Sequence, residues 1–89
     1  KNIGQGFKIF PNPVMDGIVQ IETTHALNGN EKIEIKDING KIVYDLNANN
    51  WIQNSSNKLS LNLGDSLRGI FFITLTNDKG IFSTKLTLN

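Results

Sequence analysis

The chain has 89 residues, 9 Lys and Arg against 8 Asp and Glu, and no cysteine. That length makes one domain with a limited core, and its near-balanced charge, with the basic residues scattered one per segment, offers no field for nucleic acid or an anionic membrane surface. Without cysteine there are no disulfides, Cys-zinc sites or thiol nucleophiles, and no apolar run approaches the roughly 18 residues of a membrane helix.

Taken in chain order, "KNIGQG" (1–6) is small and polar and reads as the end of a linker from an upstream domain. The chain starts at Lys1 rather than Met, as a piece of a longer protein does. From residue 7 the apolar residues recur with period two, the spacing of a half-buried strand. "FKIF" (7–10) puts Phe7 and Ile9 on one face, and "GIVQIET" (17–23) does the same for Val19 and Ile21. Between them lies "FPNPVMDG" (10–17), with both prolines of the chain, Pro11 and Pro13, on either side of Asn12. Proline fixes φ, removes a donor and holds the preceding residue extended, so this loop is stiff and Pro11 ends the first strand. Asp16 and Gly17 turn the chain into the second.

"EKIEIKDI" (31–38) carries Ile33 and Ile35 inward with Glu34 and Lys36 outward, and "KIVYDL" (41–46) places Ile42, Tyr44 and Leu46 on one face. Asn39-Gly40 between them suits a type I′ hairpin turn. "LNGN" (27–30) marks another turn. "NANNWIQNSSN" (47–57) is the one long polar connection, of the kind that crosses between the two sheets of a sandwich. "KLSLNL" (58–63), "GIFFITLT" (69–76) and "GIFSTKLTLN" (80–89) complete the set, the last two joined by a slightly longer hairpin at "NDKG". Phe71, Ile73 and Leu75 face inward, with Ile70 and Phe72 adding bulk on the other side. Seven short strands with turns between them and no helical stripe predict an all-β, seven-stranded antiparallel β-sandwich, immunoglobulin-like.

The residues that carry chemistry are few. His25 stands alone in a polar stretch and reads as a surface residue; no serine sits in a G-x-S-x-G elbow. Asp16, Asp37, Asp65 and Asp78 fall at turns or strand ends, where carboxylates cap backbone N–H groups. "DINGK" lacks the spacing of a calcium loop. No cofactor or metal motif is present, and the expectation is that the domain is not an enzyme. Trp51 has two readings. It plugs the end of the core under the crossover, the plainer one, or it stacks on a sugar ring in a carbohydrate-binding sandwich appended to a polysaccharide-degrading enzyme. Asn54-Ser55-Ser56 fits the eukaryotic glycosylation triplet, and "DSL" (65–67) fits a short bacterial O-glycosylation pattern at Ser66, though a plain turn capped by Asp65 explains it as well.

The order of the pieces is more specific than any one of them. "FKIFPNPVMDGIVQIE", then "IEIKDINGKIVYDL", then "LSLNLGDSLRGIFFITLTNDKGIFSTKLTLN" closely resembles the type A C-terminal sorting domain of the type IX (Por) secretion system of Bacteroidetes, over residues 7 to 89. The resemblance rests on Pro11, Asn12, Pro13 and Gly17; on Gly40 and Lys41 of the D-x-x-G-K-x-V hairpin; on Gly69 and Phe71 of the L-x-x-G-x-Y strand; and on Lys85 in the lysine-bearing last strand. Phe71 stands where tyrosine is usual and Arg68 where proline or alanine is common, and "LTLN" lacks the basic ending of many members. The resemblance implies an address label for an upstream cargo domain, recognised after export to the periplasm by the outer-membrane secretion machinery. It further implies removal by a sortase-like protease, and attachment of the cargo to an anionic lipopolysaccharide at the cell surface or its release. No direct insertion into the membrane is implied. A passive spacer within an adhesin is the third reading of the same sandwich. Independently of the family, the last strand offers a sheet edge for pairing with a receptor strand, if it lies at an edge, and Lys85 there serves either recognition or protection against aggregation.

Overall fold

The computed structural model describes residues 6–11 and 13–89. Asn12 and residues 1–5, most of the expected linker, lie outside the described residues. The strands are β1 (Phe7–Phe10), β2 (Ile18–Thr23), β3 (Lys32–Lys36), β4 (Ile42–Leu46), β5 (Ile52–Ser55), β6 (Lys58–Asn62), β7 (Gly69–Asn77) and β8 (Gly80–Leu88), with one 3₁₀ turn at Ala48–Asn50. They form two four-stranded sheets, β1-β2-β6-β5 and β4-β3-β7-β8, in which all strand pairs are antiparallel. The chain crosses between sheets after β2, β4 and β6.

The period-two pattern is what the sandwich buries. Val19, Ile21, Leu59 and Leu61 from one sheet meet Ile33, Ile35, Phe71, Ile73, Leu75, Leu86 and Leu88 from the other. Each fully buried Ile or Leu contributes about 1.5–3 kcal/mol relative to exposure. The intervening residues, such as Glu34 and Lys36, turn to solvent and approach each other at 3.9 Å.

Four features depart from the sequence reading. Among the described residues there are eight strands, not seven: "IQNS" within the expected crossover pairs with β6 as an edge strand whose four residues are all exposed. With neither face buried, it has no alternating apolar signal to announce it. Second, β4 is bulged. Tyr44 pairs with Ile35 but Ile42 with Lys36, so Val43 is the extra residue. The bulge flips the register of the strand start, putting Ile42 on the outer face, 46% exposed, while Val43 joins Tyr44 and Leu46 against the core.

Third, the Asn39-Gly40 hairpin is not type I′. Only Gly40 has positive φ, at 86°. The Gly40 N–H donates to the Asp37 carbonyl at 3.0 Å and the Asp37 N–H to the Lys41 carbonyl at 2.9 Å, which is the three-residue loop with a left-handed glycine at its end. The Asp37 carboxylate accepts the N–H groups of Asn39 (2.9 Å) and Lys41 (3.0 Å) and stabilises this form. The second hairpin is tighter than its sequence signal: Asn77 pairs with Gly80 across only Asp78 and Lys79. Asn77, not Asp78, caps it by accepting the Lys79 N–H at 2.7 Å.

Two polar contacts add to the core, one between the sheets and one within a crossover. The Tyr44 hydroxyl donates to the Leu63 carbonyl at 2.6 Å, linking β4 to the exit of β6 in the other sheet. Glu31, only 4% exposed, accepts the N–H groups of Asn28 (2.8 Å) and Gly29 (3.0 Å) and so closes the β2–β3 crossover on itself.

Candidate functional site

The stiff loop after β1 makes an excursion to the opposite sheet. Val14, fully buried, forms a parallel bridge with Leu88 at the end of β8. Its N–H donates to the Thr87 carbonyl and its carbonyl accepts the Asn89 N–H, both at 2.8 Å. β1 and β2 belong to one sheet and β8 is an edge of the other, so this segment straps the side of the sandwich. Pro11 and Pro13, both ahead of that bridge, are exposed. Their stiffness limits the conformations open to the loop before Val14 docks, which explains why both prolines of the chain stand at this one place.

The strap then closes on the exit of β6. Gly17 has φ +79°, and a Cβ built there would lie 1.9 Å from the Gly64 carbonyl oxygen. Its carbonyl accepts the Leu63 N–H at 2.8 Å, and the Asp16 carboxylate caps the Ile18 N–H at 3.1 Å. Only glycine satisfies both the backbone angle and the contact. Val14, Asp16, Gly17, Gly64, Asp65, Leu67, Arg68 and Leu88 are among the residues lining a groove of about 320 Å³ here.

The β-register gathers most of the singled-out residues at this same end. Gly69 pairs with Leu88, and Lys36 pairs with Phe72, so the 37–41 hairpin with Gly40 and Lys41 continues past β3 beside the start of β7. Pro11, Pro13, Gly17, Gly40, Lys41 and Gly69 are thus brought to one end of the sandwich. Two residues are not part of that cluster. Phe71 lies in the core at 6% exposure. Lys85 stands exposed on the outer face of β8, across from Phe72. Among the described residues no group of three or more His, Cys, Asp or Glu is placed to hold a metal ion, and no helix is long and apolar enough to cross a membrane.

β8 is an edge strand, as the strand-pairing idea required. Thr87 and Asn89 direct backbone groups away from β7 towards Val14, and the pairing runs unbroken from Gly69–Leu88 to Asn77–Gly80. Antiparallel alternation therefore aims the N–H and C=O of Ile81, Ser83 and Lys85 outward as well. Among the described residues no strand pairs with that stretch. The same register leaves Ile70 (48%), Phe72 (42%) and Ile81 (71%) exposed on the outer face.

Trp51 follows the 3₁₀ turn of the β4–β5 crossover and is half-buried against the core. The amide-rich sequence before it folds the turn: the Asn47 side chain accepts the Asn49 N–H, and the Asn50 side chain accepts the Asn47 N–H, both at 2.9 Å. This placement supplies the plug that the plainer reading called for: the residue stands beside inward Leu61, on the side of the sheet opposite to Ile52 and Ser60. His25 is exposed beside Thr24. The strap contact of Val14 and the Gly17–Gly64 approach were missed by sequence reasoning; the clue was an apolar residue isolated between proline and Asp-Gly.

The arrangement is that of a β-sandwich whose most distinctive residues shape one end of the fold. The family described as "Secretion system C-terminal sorting domain" matches residues 8–89, and the chain belongs to it. It is a C-terminal sorting domain of type IX secretion. Among solved structures, CopC from Methylosinus trichosporium OB3b is similar with a TM-score of 0.58 and 16% identity, covering 86% of this chain and 83% of that one. The Ig1 domain of mouse SynCAM 2 is similar with a TM-score of 0.48 and 15% identity, covering 97% and 95%. The likeness to CopC is one of fold alone. No curated protein matches the chain. As a sorting signal, the domain serves the export of a cargo to the cell surface or beyond and engages the type IX machinery.

Proposed function

We propose that this domain acts as a folded, non-catalytic label: the outer-membrane machinery recognises it after the cargo has reached the periplasm, and a sortase-like protease then removes it. The cargo precedes it in the same protein and is either attached at the cell surface or released. The observation that carries the reading is the match of the sorting-domain family over residues 8–89. The geometry supports it in a specific way. Gly17, Gly40, Gly69 and Phe71 meet demands of backbone angle or burial, so the characteristic residues work by specifying a fold, and what the machinery reads is the surface that fold presents. The outward backbone of Ile81–Lys85 is the part of that surface suited to strand addition.

A reporter exported to the periplasm and fused to residues 1–89 tests this in a host with an active type IX system. The expected result is reporter at the cell surface or in the medium, lacking these residues. A reporter held in the periplasm overturns the sorting reading; a reporter that reaches the surface with the domain still attached overturns only the proteolytic step.

A further inference from the structure

The dipeptide Asn-Gly occurs twice in the chain, at Asn28-Gly29 and at Asn39-Gly40. The two copies match in most respects. Both asparagines and both glycines are exposed. The glycines have nearly the same backbone angle, φ +89° and +86°, with open space where a Cβ would stand. What differs is how each asparagine is held. At the first copy the polar groups around the amide are engaged. The Asn28 side-chain oxygen accepts the Asn30 N–H at 2.9 Å, and its nitrogen donates to the Asp78 carboxylate at 3.0 Å. The backbone N–H groups of Asn28 and Gly29 donate to the buried Glu31 carboxylate at 2.8 and 3.0 Å. At the second copy the Asn39 side chain makes no hydrogen bond among the described residues. The Gly40 N–H is held by a single contact, to the Asp37 carbonyl at 3.0 Å.

We propose that Asn39 is a site of spontaneous deamidation in the folded domain, and that Asn28 is protected from it. The Gly40 backbone nitrogen, its proton given up to solvent base, attacks the Asn39 side-chain carbonyl carbon. A new N–C bond forms, the bond from that carbon to the amide nitrogen breaks, and the amide nitrogen takes a proton from water and leaves as ammonia. The product is a cyclic succinimide. Water adds to either of its carbonyls and opens the ring, leaving aspartate or isoaspartate at position 39. The step needs no oxidant and no enzyme. Glycine favours it because there is no Cβ to crowd the attacking nitrogen. The attack requires a side chain free to rotate onto the following peptide, and a backbone N–H released from its acceptor. An exposed hairpin tip supplies both, since it opens at a small fraction of the free energy needed to open a sheet ladder. At Asn28 the side chain would have to leave two partners and the Gly29 N–H a charged acceptor, the stronger kind of hydrogen bond. Conversion at position 39 places a negative charge next to Lys41 at the tip of the 37–41 hairpin, and the isoaspartate form lengthens the loop backbone by one carbon. This site is independent of the sorting role.

The folded 89-residue chain is incubated for weeks in neutral and in mildly alkaline buffer, then digested and mapped by mass spectrometry, with aspartate and isoaspartate peptides separated by chromatography. The same chain in concentrated guanidinium chloride is the reference without structure. In the denaturant both asparagines should convert at comparable rates. In the folded chain position 39 should convert faster than position 28 by about tenfold or more, give a mixture containing isoaspartate, and react faster in the alkaline buffer because the attacking nitrogen must lose its proton. Asn39→Gln, whose longer side chain closes the ring far less readily, should abolish conversion at that position. The proposal is overturned by a folded chain in which Asn28 converts as fast as Asn39, by one in which Asn39 stays intact over the time in which it reacts in denaturant, or by a product at position 39 that contains no isoaspartate.

Discussion

At Gly17 two constraints coincide, a left-handed backbone and a carbonyl oxygen where a side chain would begin. At Gly40 only the first applies, since φ is +86° but the space is open. Gly17→Ala should therefore cost about 3 kcal/mol or more, from strain plus displacement of the strap, whereas Gly40→Ala should cost about 1–2 kcal/mol. Urea unfolding of the two variants checks the order; equal losses would mean that the Gly17–Gly64 approach is relaxed without cost. Tyr44 gives a matching test of a polar tie. Tyr44→Phe removes the donor to the Leu63 carbonyl and should lose about 1 kcal/mol in the same experiment.

On the scale of the element, β8 is where position and backbone direction separate. Phe82, Thr84 and Leu86 point their N–H groups to β7, while those of Ile81, Ser83 and Lys85 face the open edge. Native-state amide exchange should show strong protection for the first three and fast exchange for the second. Proline makes the same distinction. Ser83→Pro removes an edge-facing donor and should be tolerated far better than Thr84→Pro, which breaks the ladder to β7 and should cost about 3 kcal/mol. Equal destabilisation in thermal melts would place the alternation out of phase. The strap belongs to this scale too. Val14 closes the terminal part of the β8 edge, shortening the stretch open to unwanted pairing.

For the whole molecule, the question is whether the machinery reads a fold or a segment. Ile73 is fully buried in a central strand. Ile73→Ala should lose about 3 kcal/mol out of a total of about 5–15 kcal/mol for a small domain. Lys85→Ala, on the surface, should stay within about 0.5 kcal/mol. With both variants fused to the exported reporter, a fold-reading machinery loses Ile73→Ala cargo in step with the measured loss of folded domain. Wild-type export of an unfolded Ile73→Ala fusion would show that a short segment suffices. Loss of export in a fully folded Lys85→Ala domain would place the read surface on β8.

The strand faces were legible in the amino-acid sequence because burial on one side of a sheet writes a period of two: Val19 and Ile21, Ile33 and Ile35, and Leu59 and Leu61 alternate with polar neighbours and are all buried. The family was legible from the order of the Pro-Asn-Pro, Asp-Ile-Asn-Gly-Lys and Leu-Arg-Gly segments, because each meets a local backbone demand that few residues satisfy. What no local pattern carries is where distant segments meet. β5 has no buried face, and its existence depends on a hydrogen-bonding partner, β6, being in place. The bulge at Val43 is set by how β4 must fit β3. The bridge from Val14 to β8 and the approach of Gly17 to Gly64 join residues far apart in the chain. Their reason for being is the closing of one particular sandwich, so only the tertiary structure decided them. The sequence determined which faces are apolar and which backbone positions need glycine or proline; the packing of two sheets determined which end those residues build and which edge they leave open.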